Sequence, residues 1–151
     1  MQLRTILNRW TACLIPTIFC LQTAHSAPIA GMWKKQFIAQ MYVPAQKTYK
    51  PWDFPSPAEC LSDEALAKLP IFSPSNFLHN KPQIMGDCVV TGSVSSSAWS
   101  MACKSQNATF EITATISDTE IVGIIHTSGM NGAEGPEIET RYRRVGDCAK
   151  P

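Results

Sequence analysis

A strict alternation of apolar and polar residues runs through residues 109–116, near the middle of the chain. Phe110, Ile112, Ala114 and Ile116 are each preceded by a threonine or a glutamate. Because successive side chains of a strand point to opposite faces of a sheet, a period of two gives one buried face and one solvent-facing face. The pattern predicts a half-buried β-strand.

A hairpin is predicted on the N-terminal side of this strand, with its turn at a run of three serines. A pairing of Cys88 with Cys103 fixes the register of its two strands, 87–94 and 98–104. The other pairs in this register are Asp87 with Lys104, Val90 with Met101, and Gly92 with Trp99. Most apolar residues then share one face, which supports a Cys88–Cys103 disulfide.

A second hairpin is predicted around a turn at residues 118–119. Its pairs are Ile116 with Ile121, Ala114 with Gly123, Ile112 with Ile125, and Glu111 with His126. A last strand over 137–145 alternates in the same way. Residues 87–145 are therefore predicted to form antiparallel strands, arranged as an open meander sheet or as a small, partly closed barrel.

The first part of the mature chain combines a strand with a proline-rich segment. A strand is predicted over 34–43, directly before Pro44. Residues 44–82 contain seven of the chain's eleven prolines, which exclude a long helix or a central strand. We predict an irregular segment that wraps the sheet, with one short helix over 62–69 that Ser62 caps.

Large apolar side chains are spaced along this proline-rich segment. We expect them to fix the segment to the sheet: Trp52, Phe54, Phe72, Phe77 and Leu78. The alternative is a solvent-facing aromatic groove, since exposed apolar patches mark interaction sites.

The N-terminus has the three regions of a secretory signal peptide. Residues 1–9 carry two arginines and no acid, the following stretch is mainly apolar, and small residues precede the cleavage point. The apolar run is too short for a membrane span, which needs about 20 residues. We predict a signal peptide over 1–26, cleavage near Ser26 and Ala27, and a single domain over 27–151.

The cysteines of the mature chain indicate an oxidising compartment. Two of the six leave with the signal peptide, and four remain: Cys60, Cys88, Cys103 and Cys148. An even number without C-x-x-C spacing favours two disulfides over a metal site, with three possible connectivities. If Cys88 pairs with Cys103, Cys60 is left for Cys148. We predict these two bridges and a periplasmic or secreted location.

The net charge excludes several partners. Removing Arg4 and Arg9 from 13 basic residues leaves 11 against 12 acidic ones, a net charge near −1. A near-neutral chain lacks the basic patch that binds nucleic acid or an anionic membrane. We predict no nucleic-acid partner and no stable membrane span in the mature chain.

Several short motifs, in order, resemble a family of small secreted bacterial proteins known as domain of unknown function 3617. They are Gly31-x-Trp33, Cys60-Leu61-Ser62-x-Glu64, Cys88, Trp99 four positions before Cys103, and Arg143-Arg144-Val145-Gly146-Asp147-Cys148. The resemblance covers nearly all of the mature chain. It implies an envelope or periplasmic location and no known catalytic residues.

No familiar catalytic motif occurs in the mature chain. It has no G-x-S-x-G, no P-loop and no H-E-x-x-H, the patterns of common hydrolases and nucleotide-binding enzymes. His126 opposite Glu111 has the form of a base with an orienting carboxylate, but a cross-strand surface pair needs no function. We predict a non-enzymatic protein with no catalytic residues, metal site or cofactor.

The strand ends also suggest a binding interior. Gly31-x-Trp33 on the first strand and Arg144 on the last resemble lipocalin-like barrels, where a tryptophan and an arginine stack across the barrel floor. The candidate ligand-binding residues are Trp33, Trp99, Phe110, Ile125, Tyr142 and Arg144. The interior is either a small apolar pocket or a solid core, and the small number of strands favours the core.

These observations together predict a non-enzymatic periplasmic or cell-envelope protein of unspecified role. We expect it to bind a small apolar ligand. The alternative is a structural or inhibitory module that acts through contact with an envelope protein. The two hypotheses separate on whether Phe110 and Ile125 face a void or packed atoms.

Overall fold

A computed structural model describes residues 27–129 and 133–149. Within them the chain forms seven antiparallel strands and two short α-helices. The strands are β1 (Gly31–Val43), β2 (Thr48–Leu61), β3 (Asp87–Val90), β4 (Ala98–Lys104), β5 (Ala108–Ile116), β6 (Glu120–Gly129) and β7 (Glu134–Gly146). The helices are α1 (Asp63–Ala67) and α2 (Pro74–Asn80), and 3₁₀ turns lie at Pro70–Phe72 and Gln83–Met85. The predicted mainly β fold is confirmed.

All seven strands belong to one sheet with the spatial order β2-β1-β7-β6-β5-β4-β3. From β3 to β7 the sheet is the predicted meander. The β1–β2 hairpin then joins through β1, which pairs antiparallel with β7. Because β2 and β3 form the two edges of the sheet, the sheet is open and does not close into a barrel.

The strand registers predicted from the cysteines and from the apolar alternation are confirmed. On β3 and β4, Asp87 pairs with Lys104, Cys88 with Cys103, and Val90 with Met101. On β5 and β6, Glu111 pairs with His126, Ile112 with Ile125, Ala114 with Gly123, and Ile116 with Ile121. Both hairpins therefore turn one apolar face in the same direction.

One predicted pair, Gly92 with Trp99, differs. Strand β3 ends at Val90, and the predicted register continues only to a hydrogen bond from Thr91 N to the Ser100 carbonyl, so Gly92 lies outside the strand. The serine run forms a tight local turn in which Ser95 exchanges hydrogen bonds with Ala98. Local hydrogen bonds between serine side chains and the backbone compete with the hydrogen-bond ladder that would extend the hairpin.

The prediction of an irregular segment was wrong for residues 48–61, which form β2. This strand holds Pro51, Pro55 and Pro57. It lies at the edge of the sheet and pairs only with β1. A proline lacks the N–H that a central strand needs, but at an edge the missing donor breaks no bond to a second neighbour.

The predicted helix over 62–69 forms as α1, and Ser62 Oγ accepts a hydrogen bond from Ala65 N at 3.2 Å. The prediction of a single helix was incomplete, because α2 follows it. Ser73 caps α2 by accepting from Asn76 N at 3.1 Å, and Pro74 occupies the first turn. Serine followed by proline is a helix-start signal.

The helices and 3₁₀ turns form a layer on one face of the sheet, and the core lies between them. Gly123 on β6 leaves room for Ile71, because a Cβ there would lie 2.6 Å from Ile71 Cγ2. Trp99 packs against Phe77 at 5.8 Å between ring centroids and donates its Nε1–H to the Ile71 carbonyl at 3.1 Å. The burial of apolar side chains and the hydrogen bond of the Trp99 indole therefore hold this layer against the sheet.

Both predicted disulfides are present, Cys60–Cys148 and Cys88–Cys103. The first joins the end of β2 to the chain just after β7. Met32 on β1 pairs with Cys60 on one side and Gly146 on the other, so this bridge spans β1. The second bridge links the paired strands β3 and β4.

The predicted signal peptide lies outside the described residues. Within the described part of the chain, no helix has the length and apolar character to cross a membrane.

Candidate functional site

Three of the six predicted ligand-binding residues belong to the core. Trp33, Trp99 and Tyr142 are all buried, and Trp33 is only 1% exposed. Trp33 donates its indole N–H to the Ile29 carbonyl at 3.2 Å. These side chains pack against the helical layer and one another, so the structure places them in a packed core and not around a cavity.

Arg144 is the register partner of Trp33 on the neighbouring strand, but the sheet is open, so the two residues do not lie across a barrel floor. Its guanidinium also crosses Gly31, where a Cβ would lie 2.6 Å from Nε. It donates to the Ala30 carbonyl at 3.2 and 3.3 Å and forms an ion pair with Asp147. Arg144 therefore connects Ala30, just before β1, with Asp147, just after β7.

Phe110 and Ile125, the residues that separate the two binding hypotheses, are both half-buried and packed against the core. Phe110 lines a depression of about 650 Å³, and Ile125 does not. Ile84, which is 75% exposed, lines the same depression together with the β4–β5 turn. The two residues thus have different surroundings.

The most exposed aromatic side chains of the described residues lie on the β1–β2 hairpin. Phe37 pairs with Phe54, and Ala39 pairs with Trp52, so the aromatic side chains point to one face. The ring centroids of Phe37 and Phe54 are 6.1 Å apart, and those of Trp52 and Phe54 are 6.2 Å apart. We call Phe37, Met41, Trp52 and Phe54 the apolar strip.

The apolar strip lies on the same sheet face as the helical layer, beyond the edge of that layer. Phe37 pairs with Thr140, and Thr140 pairs with Gly123, the residue on which Ile71 packs. Trp52 is 55% exposed and Phe54 is 46% exposed. The expectation that they fix the proline-rich segment to the sheet was wrong, because the helices cover only the other end of this face.

Other members of that expected set divide between core and surface. Phe77 is buried and Phe72 packs against the core, as expected, whereas Leu78 is exposed. The Trp52-x-Phe54 spacing of two was a strand signal that the surrounding prolines obscured.

A second depression, of about 480 Å³, crosses β2, β1 and β7. Its lining residues are Lys34, Gln36, Asp53, Pro55, Arg141, Arg143 and Val145, which we call the polar groove. Lys34 pairs with Arg143 and Gln36 with Arg141. Since side chains alternate along a strand, the groove lies on the face opposite the apolar strip.

Ion pairs hold the two arginines of the polar groove. Arg141 Nε donates to Glu139 Oε1 at 2.7 Å, and Glu120 Oε1 lies 3.5 Å from Arg141 and 3.2 Å from Arg143. The hydrogen bond to Glu139, with the charges of Glu139 and Glu120, raises the pKa of Arg141, although partial burial opposes the shift. Like any arginine, Arg141 carries its positive charge over the whole physiological pH range.

His126 pairs across the sheet with Glu111 on one side and Glu137 on the other. Its Nδ1 lies 3.8 Å from Glu137 Oε2, and both side chains are accessible to solvent. Within 27–129 and 133–149, no three His, Cys, Asp or Glu side chains are grouped so that they could hold a metal ion.

The fold and these surfaces define a class: a one-domain, disulfide-bonded antiparallel sheet with a helical layer on part of one face. The chain belongs to the family described as protein of unknown function DUF3617, whose model matches residues 24–148. The suspected family is therefore confirmed. No curated protein and no solved structure shows significant similarity to the chain.

Proposed function

We propose that the protein is a non-enzymatic component of the periplasm or cell envelope that binds another envelope protein through the apolar strip. The observation that carries the proposal is the exposure of about half of Trp52 and of Phe54 on an ordered sheet face. Contiguous exposed aromatic side chains are typical of interaction sites, and tryptophan is enriched among the residues that dominate the binding energy of an interface.

A protein partner fits this surface better than a small molecule does. Small-molecule sites are concave and enclose most of the ligand. The residues of the apolar strip line neither of the two depressions described above. A second protein can cover an open sheet face with a complementary apolar patch.

The charges beside the apolar strip indicate the chemistry of the partner. Lys50 pairs with Met41 at one end of the strip, and Lys35 precedes Phe37 by two residues on the same face. Lys35 Nζ lies 5.7 Å from the centroid of the Tyr142 ring. A partner surface with an apolar patch and acidic residues at its rim would complement the apolar strip and the lysines beside it.

The envelope location and the absence of catalysis are parts of the same proposal. Two disulfides are typical of proteins that fold in an oxidising compartment. The features of a signal peptide and the lack of familiar catalytic motifs support it from the sequence.

Site-specific photo-crosslinking in the native host tests the proposal. A photoreactive residue at position 52 should yield one discrete crosslinked protein. The same residue in place of Thr113, an exposed residue on the opposite face of β5, is the control and should not. Phe54→Ser should remove the crosslink, and Lys50→Glu should weaken it by about fivefold, as for an accessible charge pair.

The folding of Phe54→Ser must be measured in parallel. Because Phe54 is half-exposed, its urea midpoint should stay close to that of the unsubstituted protein. Equal crosslinking from positions 52 and 113, or a crosslink unaffected by Phe54→Ser in the folded protein, would contradict the proposal.

A second candidate is the binding of a small apolar ligand in the depression beside Phe110 and Ile84. The supporting observation is that this depression contains Phe110, a predicted ligand-binding residue, and the 75% exposed Ile84. Native mass spectrometry of the periplasmic protein tests it. A mass excess that disappears in organic solvent and is absent from Ile84→Ser would support this candidate, and a bare mass would contradict it.

A further inference from the structure

We propose that the polar groove binds the phosphate group of a small organic molecule. The groove has a volume of about 480 Å³, which is within the usual range for ligand sites. It lies on the face opposite the apolar strip, so this inference does not depend on the proposed function.

Three cationic side chains line the groove, and each retains hydrogen-bond donors. Arg141 uses Nε and Nη1 for Glu139 and Glu120, and Arg143 uses Nε and Nη2 for Glu120. A guanidinium has five N–H donors, so each arginine keeps a terminal nitrogen free of these bonds.

Lys34 is the remaining cation of the groove, and it differs from the arginines. It is exposed and has no ion-pair partner among the described residues. The one carboxylate of the lining, Asp53, accepts from Gln36 Nε2 at 2.7 Å through Oδ2. The lining thus holds three cationic side chains against one carboxylate, and it has more donors than acceptors, which favours an anionic ligand rich in acceptors.

The number of donor groups favours phosphate over carboxylate. Three separate cationic side chains, from β1 and β7, line one groove. A carboxylate has two oxygens, whereas a phosphate group offers three or more and can accept from all three side chains together. Glu139 and Glu120 hold the arginine side chains in place before the ligand arrives, which reduces the entropy lost on binding.

The remaining lining indicates what carries the phosphate. Pro55 and Val145 place apolar surface in the same groove. The volume of about 480 Å³ exceeds that of a phosphate ion alone, so an organic portion can lie against these two residues. The same chemistry could come from a soluble phosphate ester or from a lipid head group.

NMR titration with inorganic phosphate tests the site directly. The ¹H–¹⁵N signals of the Gln36 side chain and of the Arg141 and Arg143 backbone should shift and saturate together. Lys34→Gln should weaken binding by about fivefold, and added salt should weaken it further. Lys47→Gln, an exposed lysine in the β1–β2 turn, is the control and should leave the affinity unchanged.

A second arm distinguishes the two sources of phosphate. Sedimentation with phosphatidylcholine vesicles is measured with and without phosphatidic acid. Binding that requires phosphatidic acid and Lys34 supports the site and assigns a lipid head group. Lys34-dependent phosphate shifts without vesicle binding support the site and assign a soluble phosphate ester. Binding that is equal in Lys34→Gln and Lys47→Gln, or no saturable binding in either arm, overturns the proposal.

Discussion

At the scale of single residues, the closest approach between the two layers depends on the absence of a side chain at Gly123. Ile71 is buried, and its branched end lies where a Cβ of residue 123 would be. Side chains in a packed interior have little room to move. The identity of residue 123 therefore controls how closely the 3₁₀ turn at Pro70–Phe72 can approach β6.

Gly123→Ala should destabilise the protein by about 1–3 kcal/mol, the usual range for overpacking a core. The added methyl group would lie 2.6 Å from Ile71 Cγ2 and 3.1 Å from Ile71 Cβ. Neither atom is the free end of a flexible chain, so the 3₁₀ turn must move. Urea denaturation at neutral pH gives the loss in the free energy of unfolding.

Gly146→Ala is the matched control, because a Cβ at Gly146 would meet no atom within 4 Å. Its free energy of unfolding should change by less than about 0.5 kcal/mol. Equal losses in the two variants would show that backbone effects of glycine, and not the contact with Ile71, determine the result.

At the scale of secondary-structure elements, Asn76 connects the two helices. Its Nδ2 donates to the carbonyls of Ala67 at 2.6 Å and Leu69 at 3.0 Å. These acceptors lie at and just after the end of α1, where carbonyls lack partners within the helix. A side chain of α2 thus completes the end of α1, and the two short helices form one unit.

Asn76→Ala should lower the free energy of unfolding by about 1–3 kcal/mol, because it removes two hydrogen bonds of about 0.5–1.5 kcal/mol each. The Leu69 carbonyl keeps its bond from Phe72 N. Asn80→Ala is the control in the same helix, since Asn80 Nδ2 donates only to the Asn76 carbonyl at an exposed position. Asn80→Ala should lower the free energy of unfolding by less than about 1 kcal/mol. Thermal unfolding of both variants checks the difference, and an Asn80 effect as large as that of Asn76 would contradict it.

We expect the prolines of β2 to protect the open edge of the sheet. Strand β2 is 14 residues long, and only β1 pairs with it. A long edge strand can pair with another chain, and prolines reduce this tendency by removing N–H donors. The composition that hid β2 in the sequence thus has a structural role.

Replacing Pro51, Pro55 and Pro57 together by threonine should raise self-association, because the edge regains three donors and gains a β-branched residue at each position. Sedimentation velocity at increasing concentration measures the average mass. Pro44→Thr, in the turn before β2, is the control. A triple variant that associates no more than the unsubstituted protein would show that the prolines do not protect the edge.

The elements that the sequence predicted correctly share one physical cause. In the β3–β4 and β5–β6 hairpins, alternation and the Cys88–Cys103 pair act over short distances, and so these two registers followed from local patterns. The pairing of β1 with β7 joins residues about 100 positions apart along the chain, such as Phe37 and Thr140. No local pattern specifies such a pairing, because it depends on which strand edges remain free.

The candidate sites were less predictable than the fold. The sequence identified large apolar residues but not which of them the helical layer would cover, so Trp33 and Trp99 were core residues while Trp52 stayed exposed. The polar groove was not predicted at all. Lys34, Asp53 and Arg143 are distant in sequence and meet only through the pairing of β2, β1 and β7.

At the scale of the whole molecule, the two disulfides constrain different parts of the chain. Cys60 and Cys148 are separated by 88 positions, and their bridge closes the chain from the end of β2 to just after β7 into one loop. Cys88 and Cys103 are separated by 15 positions and close a single hairpin. Longer closed loops remove more conformational entropy from the unfolded chain.

The Cys60–Cys148 bridge should therefore contribute more to stability than the Cys88–Cys103 bridge. The chain-entropy model gives about 4.6 kcal/mol for the longer loop and about 3 kcal/mol for the shorter one. Either value is a large fraction of the total free energy of unfolding of a small domain, about 5–15 kcal/mol. Reduction of both bridges should consequently unfold most of the protein at ambient temperature.

Two double variants isolate each bridge in a fixed sequence. In Cys88→Ala/Cys103→Ala, a reductant breaks only the Cys60–Cys148 bridge, and in Cys60→Ala/Cys148→Ala it breaks only the Cys88–Cys103 bridge. The urea midpoint of each variant is measured with and without reductant, so that packing changes at the buried Cys103 cancel. The loss caused by reductant should be larger in the first variant. The reverse order would mean that folded-state contacts of the buried bridge outweigh the entropy of the longer loop.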